Sequence, residues 1–256
     1  MELFNAGSIP NQEAHIYLMS DLHIGCNQWA KKQFMEDRER ILADPFARVV
    51  LHGDVLTYDI EASVGDTYAQ SIPPGQQKYV AEELLRPIAP QIIGGCRGNH
   101  ENRSKEDANP ILDLCKFLNI HYFPDECSFR IAVGEDKWGN PAVWNFYGLH
   151  GTSNAQTIGA ISNSLYRMSN ICDADVYFMG HTHWATQFPG VFFRRDIIHG
   201  NMVPVVRHYV CSASYQGREK YSVMKGMSPK TMGCPIVTLN ADLKNITVEL
   251  PTGIQT

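Results

Sequence analysis

Apolar and polar positions along the chain follow two alternating patterns. Short runs rich in β-branched and aromatic residues predict strands at His15–Ser20, Arg48–His52, Gln91–Gly94, Phe129–Val133, Val143–Tyr147 and Val176–Met179. Amphipathic stretches between them predict helices at Gln28–Ala43, Gln76–Ile88, Pro110–Leu118 and Ala155–Ser169. Regular alternation of strands and helices favours an α/β architecture with buried sheets.

The pattern changes after His183, where the helical periodicity stops. The remaining apolar runs predict strands at Val191–Ile198, Val203–Cys211, Pro235–Leu239 and Ile246–Leu250. The chain has 256 residues and shows no internal repeat, low-complexity tract or linker. We therefore expect a single domain over residues 1–256, in which the last strands complete the sheets.

Polar side chains directly follow five of the predicted strands, usually with a glycine beside them. The five segments are Asp21-Leu22-His23, Gly53-Asp54, Gly98-Asn99-His100, His150 and Gly180-His181-Thr182-His183. In open α/β sheets, ligands bind at the carboxyl ends of the strands. We therefore expect these segments, although far apart in sequence, to bring their polar groups to one rim of the sheets.

The side chains expected at this rim are two aspartates, one asparagine and a set of histidines. Mixed nitrogen and oxygen donors of this kind suit Zn²⁺, Mn²⁺ or iron. The seven cysteines form no CxxC pair, so we expect reduced thiols in a cytoplasmic protein. The first twelve residues lack a basic segment and no apolar run reaches 18 residues, so neither a signal peptide nor a membrane span is expected.

In order and spacing, the five segments resemble the signature blocks of the calcineurin-like metallophosphoesterase superfamily. The resemblance runs from Asp21 to His183, close to two-thirds of the chain. It implies a four-layer α/β/β/α sandwich of two mixed β-sheets flanked by helices. It also implies an enzyme that hydrolyses phosphate esters, in which a hydroxide held between two divalent metal ions attacks phosphorus in line.

The resemblance assigns a role to each polar residue of the five segments. Asp21, His23 and His183 would hold the first metal ion, and Asn99, His150 and His181 the second. Asp54 would bridge both ions, and His100 would bind substrate and protonate the leaving group as a general acid. Manganese is the first choice for both transition-metal ions, with iron, zinc or nickel as alternatives. Arg97 stands in a run that resembles the protein-phosphatase branch, and it either forks onto phosphate oxygens or is a surface arginine.

One segment departs from the protein-phosphatase pattern GDxxDRG. Thr57 stands where that pattern has its second aspartate, and the arginine and glycine that end the pattern are missing. The general-acid histidine therefore lacks its usual partner, and Asp59 is the nearest acidic candidate. His52, inside a predicted buried strand, is interpreted as a core histidine. The departure weakens the prediction of a protein phosphatase.

Three functions stay open at this point. A phosphodiesterase acting on nucleic acid or a nucleotide is favoured by the missing GDxxDRG pattern and by seven basic residues between Trp184 and Lys230, although the net charge of −5 gives no support. A phosphomonoesterase acting on a phosphoprotein or metabolite is supported by Arg97. A non-catalytic metal-binding scaffold is the third. The 61–77 segment is either a lid over the metals or a surface loop, and the sequence leaves the oligomeric state open.

Overall fold

Two mixed β-sheets lie face to face in the computed structural model, which describes residues 2–60, 70–103, 109–136, 138–151, 155–196, 199–218, 223–224 and 226–255. The strands of the first sheet are β1 (Phe4–Ile9), β6 (Glu126–Glu135), β7 (Pro141–Leu149), β8 (Val176–Met179), β9 (Thr186–Arg195) and β10 (Met202–Cys211). Those of the second are β2 (Glu13–Met19), β3 (Ala47–His52), β4 (Ile92–Cys96), β5 (His121–Phe123), β12 (Ile236–Asn240) and β13 (Asn245–Glu249). Short strands β11 (Thr231–Met232) and β14 (Gly253–Ile254) pair with each other.

The strand order places several carboxyl ends along one edge of the molecule. The first sheet runs β1-β6-β7-β8-β10-β9, and β8 is parallel to both of its neighbours. The second runs β13-β12-β2-β3-β4-β5, in which β2, β3, β4 and β5 are mutually parallel. Since parallel strands end on the same side, the turns after β2, β3 and β4 share an edge, as do those after β7 and β8.

Helices cover the outer faces of both sheets. Along the described parts of the chain these are α1 (Lys31–Ala43), α2 (Pro74–Leu85), α3 (Pro110–Leu118) and α4 (Ile158–Arg167). One apolar core fills the space between the sheets and includes Leu18, Phe129 and Phe178. A second lies between the second sheet and α1 to α3, and a third lies between the first sheet and α4. This layering confirms the predicted four-layer α/β/β/α sandwich.

Helix α3 shows how local sequence sets the bounds of an element. Asn109 caps its start, because its side-chain Oδ1 accepts a hydrogen bond from the backbone N–H of Leu112 at 3.0 Å. Pro110 occupies the first turn, where its missing N–H costs nothing. Asn119 ends the helix in the left-handed conformation. None of the helices in the described ranges is long and apolar enough to cross a membrane.

Tyr215 connects helix α1 to the turn that follows β2. Its backbone N–H donates to the carbonyl of Asp21 at 2.9 Å, and its carbonyl accepts from the N–H of Ala30 at 2.7 Å. Its buried hydroxyl donates to Oδ2 of Asp37 on α1 at 2.7 Å. The position of the Asp21 turn therefore depends on a hydrogen-bonded chain that reaches through the second core.

Asp37→Asn is expected to flatten the pH dependence of stability. Burial raises the pKa of Asp37, against hydrogen bonds from Tyr215 and Gln33. Above the unfolded value of about 3.9 the folded chain retains a proton that the unfolded chain releases, so stability falls as pH rises towards the folded pKa. Melting temperatures measured from acid to neutral pH should decline less in the variant, with Glu83→Gln on the exposed side of α2 as control. Parallel profiles of wild type and variant would contradict this prediction.

Candidate metal centre

The five turns predicted from the sequence meet at one end of the sandwich. The turns after β2, β3 and β4 come from the second sheet and carry Asp21, Asp54 and Asn99. The turns after β7 and β8 come from the first sheet and carry His150 and His181. Donor atoms on these turns form three overlapping groups, and within each group the atoms lie within 4.8 Å of one another. The expectation of a shared rim is thus met by the structure.

The first group consists of Asp21, His23 and His183. Nε2 of His183 lies 3.1 Å from Oδ1 of Asp21 and 3.3 Å from Nε2 of His23. The other carboxylate oxygen of Asp21 is already engaged, because it accepts from Ser20 Oγ at 2.5 Å and from the His181 N–H at 2.9 Å. Oδ1 is buried, and the polar atoms that face it are the imidazole nitrogens of His183 at 3.1 Å and His23 at 3.8 Å. A buried oxygen facing two imidazole nitrogens suits a cation.

The second group consists of Asp54, His150 and His181, with Asn99 beside it. Nε2 of His150 lies 3.1 Å from Oδ2 of Asp54 and 3.1 Å from Oδ1 of Asn99. Nδ1 of His150 faces the backbone carbonyl of His52 at 3.0 Å, which leaves Nε2 directed at the group. Asp54 also belongs to a third group with His23 and His100, so its carboxylate lies between the first two groups.

Opposite charges in the cluster shift the pKa values of its buried side chains. Burial would lower the pKa of His150, but the carboxylates of Asp54 and Asp21 outweigh it and raise the pKa to about 10. Burial would likewise raise the pKa of Asp54, but the imidazoles of His150 and His100 hold it well below its usual range. The two buried carboxylates therefore favour positive charge in the cluster.

Five side chains of the cluster are carried by backbone in the left-handed region. The φ angles are 53° at Asp21, 47° at His23, 50° at Asp54, 66° at His181 and 59° at His183. Residues other than glycine adopt this region at a cost, and such strain concentrates at functional sites. The sharp turns direct successive side chains, such as those of His181 and His183, towards the same group of donor atoms.

Two glycines permit the turns to approach each other closely. A Cβ at Gly98 would lie under 3.0 Å from both Oδ1 and the backbone nitrogen of Asp54. A Cβ at Gly180 would lie under 3.0 Å from the side chains of Ser20 and Asp21. The glycines noticed beside the polar residues in the sequence therefore serve the packing of one turn against another.

Glu101 fastens the turn after β3 to the turn after β4. Its buried carboxylate accepts backbone N–H groups of Leu56 at 2.9 Å, Gly98 at 2.8 Å and Asp54 at 3.2 Å. Burial and the Asp54 carboxylate raise the pKa of Glu101 to about 7. Glu101 directly follows the segment Gly98-Asn99-His100, and the sequence pattern predicts no role for it. Its contacts show that it positions Asp54.

His100 lies at the partly exposed side of the cluster. Its backbone N–H donates to Oδ1 of Asp54 at 2.9 Å, and its Nε2 lies 3.9 Å from Oδ2 of the same carboxylate. Its Nδ1 lies 2.5 Å from the backbone carbonyl of Thr57 and 3.9 Å from Oδ1 of Asp59. The residue at the divergent Thr57 position thus supports the imidazole through its main chain, and Asp59 stands close by.

Arg97 is not brought into the cluster. Its Nη2 donates to Oδ1 of Asp125 at 2.7 Å, and this hydrogen bond raises the pKa of the guanidinium. Asp125 is largely exposed, so the pair lies at the surface. A different arginine, Arg103, lies beside His100 instead. The signal that could have found it is its position three residues after His100, at the end of a short 3-10 turn, Glu101–Arg103.

Four basic residues of the stretch after Trp184 have hydrogen-bond partners in the described segments. Arg194 and Arg207 both pair with Asp173, at 2.9 Å and 2.6 Å. Arg218 donates to the carbonyl of Met227, and Lys230 to that of Thr182. Lys220 and Lys225 lie outside the described residues. Two arginines thus share one carboxylate, and neutral carbonyls leave the charges of Arg218 and Lys230 in place, so attraction of an anionic substrate by this stretch stays a prediction.

Two further sequence interpretations can be compared with the structure. His52 is fully buried, its Nε2 lies 2.9 Å from Ser212 Oγ, and burial lowers its pKa to about 3. It is therefore a neutral core histidine, as expected. Of the 61–77 segment, residues 61–69, with Tyr68, lie outside the described part of the chain. Residues 70–73 lead into α2, which begins at Pro74, and Gln77 in its first turns accepts from the N–H of Tyr58 at 2.9 Å.

Three solved structures are similar to this chain over most of its length. A metallophosphoesterase from Sphaerobacter thermophilus is 15% identical, with 95% of this chain and 89% of that chain covered and a TM-score of 0.45. Vacuolar protein sorting 29 from Cryptosporidium parvum is 15% identical, with 93% and 97% covered and a TM-score of 0.43. The nuclease MPE from Pseudomonas putida is 13% identical, with 91% and 87% covered and a TM-score of 0.38.

No family model and no curated protein matches the chain. The solved structures therefore describe a likeness of fold, at identities far below those that carry function from one protein to another. The chemistry of the site has to be argued from the residues that form it.

Proposed function

We propose that the protein is a dinuclear metal-dependent phosphoesterase. The observation that carries this proposal is a pair of donor groups joined by one carboxylate, that of Asp54. The donors are carboxylate oxygens, imidazole nitrogens and one amide oxygen, a set that suits divalent transition metals such as manganese, iron, zinc or nickel. Buried Oδ1 of Asp21, which faces the imidazole nitrogens of His183 and His23, fits the place of a metal ligand.

In this proposal the two metal ions take ligands from both sheets. Asp21, His23 and His183 would coordinate the first ion, and Asn99, His150 and His181 the second. The carboxylate of Asp54 would coordinate both. Bound ions would lower the pKa of a shared water and offset the negative charge of the phosphate oxygens. The chain itself supplies the geometry: Glu101 fixes the Asp54 turn, and the His52 carbonyl orients His150.

His100 is proposed as the group that serves the leaving oxygen. Its Nε2 faces the cluster from the partly exposed side, where a substrate has access. The Thr57 carbonyl accepts from Nδ1 and so fixes the orientation of the ring. A histidine held in this way can bind the phosphoryl group and pass a proton to the departing alkoxide.

A phosphodiester is the substrate that we place first. Near the cluster, the guanidinium of Arg103 pairs with the carboxylate of Asp59. Arginine charge beside the metals is therefore compensated, and Lys230, which donates to the neutral carbonyl of Thr182, keeps its single charge there. This arrangement suits a singly charged diester better than a doubly charged monoester. The missing GDxxDRG pattern points the same way. Nucleic acid and nucleotides are the candidate diesters, and a phosphomonoesterase is the alternative.

Comparison of two model esters tests the proposal. Bis-p-nitrophenyl phosphate and p-nitrophenyl phosphate should be offered to the purified protein with Mn²⁺, in parallel with a chelator-treated sample. We expect hydrolysis that depends on the metal and favours the diester. A preference for the monoester would select the alternative. Absence of both activities together with absence of bound transition metal would contradict the proposal and favour the scaffold.

His100→Asn is expected to lower turnover while the metal content stays unchanged. General acid catalysis contributes about 10²- to 10⁴-fold, and it matters most when the leaving group is a poor one. The loss should therefore be larger for an alkyl phosphodiester than for bis-p-nitrophenyl phosphate. Kinetics on both esters and metal analysis of the same sample check this. Equal losses on the two esters would remove the general-acid role and leave phosphate orientation.

A further inference from the structure

Arg103 lies beside His100, a contact that the sequence analysis did not predict. Its Nη2 lies 3.0 Å from Nε2 of His100, the ring nitrogen that faces the metal cluster. Its Nη1 donates to Oδ1 of Asp59, and the Arg103 side chain is about one-quarter exposed. The guanidinium is therefore separated from the Asp54 carboxylate only by the imidazole of His100.

The backbone fixes this placement on two sides. The N–H of Arg103 donates to the carbonyl of His100 at 3.2 Å, within the 3-10 turn anchored by the buried Glu101 carboxylate. On the other side, Asp59 is held by its main chain, since its N–H donates to Gln70 Oε1 at 3.1 Å and its carbonyl accepts from Gln70 Nε2 at 2.7 Å. Both partners of the ion pair therefore belong to anchored segments.

The hydrogen-bond directions show that both ring nitrogens of His100 have partners before substrate binds. The Thr57 carbonyl can only accept, so Nδ1 of His100 carries the hydrogen of that bond. In the neutral ring, Nε2 then offers a lone pair, which accepts from the Nη2 group of Arg103. A guanidinium has five N–H donors in a planar fork, so it can exchange this acceptor for a better one without leaving Asp59.

A phosphate oxygen at the metal site is such an acceptor, because charged oxygens form stronger hydrogen bonds with guanidinium than a neutral imidazole does. We propose that Arg103 is a substrate-binding residue, whose Nη2 group moves from His100 to a non-bridging phosphate oxygen when the ester binds. The same movement frees the lone pair on Nε2 of His100, which takes up a proton from solvent before the residue donates it to the leaving oxygen. Asp59 is the positioning residue that holds the arginine. This inference rests on the proposed function.

The test uses Arg103→Ala and Arg103→Lys in the metal-loaded protein. Loss of a charge-assisted hydrogen bond should weaken orthophosphate binding, measured by calorimetry, and raise KM for bis-p-nitrophenyl phosphate by about 10- to 100-fold. Lysine keeps the charge without the fork and should recover part of the loss. Added guanidinium should partly restore Arg103→Ala. Arg86→Ala is the matched control, because Arg86 also pairs with a carboxylate, that of Glu82, but lies on the exposed end of α2.

The outcomes separate this inference from the proposed function. Active wild type with unchanged phosphate affinity and KM in Arg103→Ala would overturn the inference alone. Losses in Arg97→Ala instead of Arg103→Ala would overturn it in favour of the arginine predicted from the sequence. If the wild-type protein bound phosphate but hydrolysed neither ester, and Arg103→Ala bound phosphate more weakly, the result would support the phosphate site and contradict the enzymatic function. Metal analysis and thermal melts of each variant exclude lost folding as the cause of a loss, and a variant that loses phosphate binding only through unfolding would count against the inference.

Discussion

Asp54→Asn is expected to lower both the affinity for metal and the rate of hydrolysis by at least about 10- to 100-fold. This range is found even for residues that only hydrogen-bond to a metal ligand. The carboxylate lies between the two groups of donors, and its Oδ1 also accepts the N–H of His100 at 2.9 Å. Asparagine has nearly the same shape but no charge, so it supplies one neutral oxygen where two cations would share a carboxylate. Metal analysis after dialysis and a rate measurement on the same sample check the prediction.

A matched aspartate outside the site makes the Asp54 result specific. Asp113 on α3 pairs with Lys78 at 3.0 Å near the surface, so Asp113→Asn removes one negative charge without touching the donor groups. The control variant should retain wild-type metal content and activity. If Asp54→Asn bound as much metal as the control, the carboxylate would not bridge the ions, and the two donor groups would have to act independently.

Gly98→Ala is expected to destabilise the fold and to remove activity in the same step. The added Cβ would lie under 3.0 Å from the Asp54 nitrogen and Oδ1, and a backbone atom cannot move aside as a flexible side chain can. Overpacking of this kind costs about 1–3 kcal/mol and sometimes more. Moreover, relief of the contact must separate the turn after β3 from the turn after β4, which carry Asp54 and Asn99.

Gly159→Ala is the control for the Gly98 variant. Gly159 lies in the first turn of α4, and a Cβ there would meet no atom within 4 Å. The same chemical change should leave activity intact and stabilise the protein by about 0.4–1 kcal/mol, because alanine loses less conformational freedom on folding. Thermal melts and hydrolysis of both variants test the pair. Equal stability of the two variants would show that the turns can separate freely.

The predicted elements with strong apolar patterns match the structure closely. Strand β8 and helix α3 begin and end where the sequence placed them, since a buried apolar run and clear capping residues mark their ends. Strand β1 was missed, because it lies at a sheet edge, is mostly exposed and contains Gly7 and Ser8. Strand β5 was missed because its three residues are too few to show a period. Edge strands depend on their partner more than on their own composition.

The candidate site divides in the same way. Residues that follow strands directly, such as Asp54 and His150, could be predicted to meet because parallel strands end on one side. Glu101 and Arg103 could not be given roles, since their contacts depend on how two turns from different strands fold against each other. Asp59, the acidic candidate for the partner of His100, forms its ion pair with Arg103 instead. The same limit explains Arg97, whose motif suggested the site and whose side chain turns to Asp125.

The proposed metal ligands come from both sheets, and those at the two ends of the set, Asp21 and His183, lie more than half the chain apart in sequence. Each ion would need turns from both sheets, so it can bind only after the two sheets have docked, and binding therefore selects the folded chain by mass action. Bound metal ions would therefore stabilise the docked arrangement of the two sheets. Sheets that slide apart would release the ions, and the metal content of a sample would record how many of its molecules have completed folding.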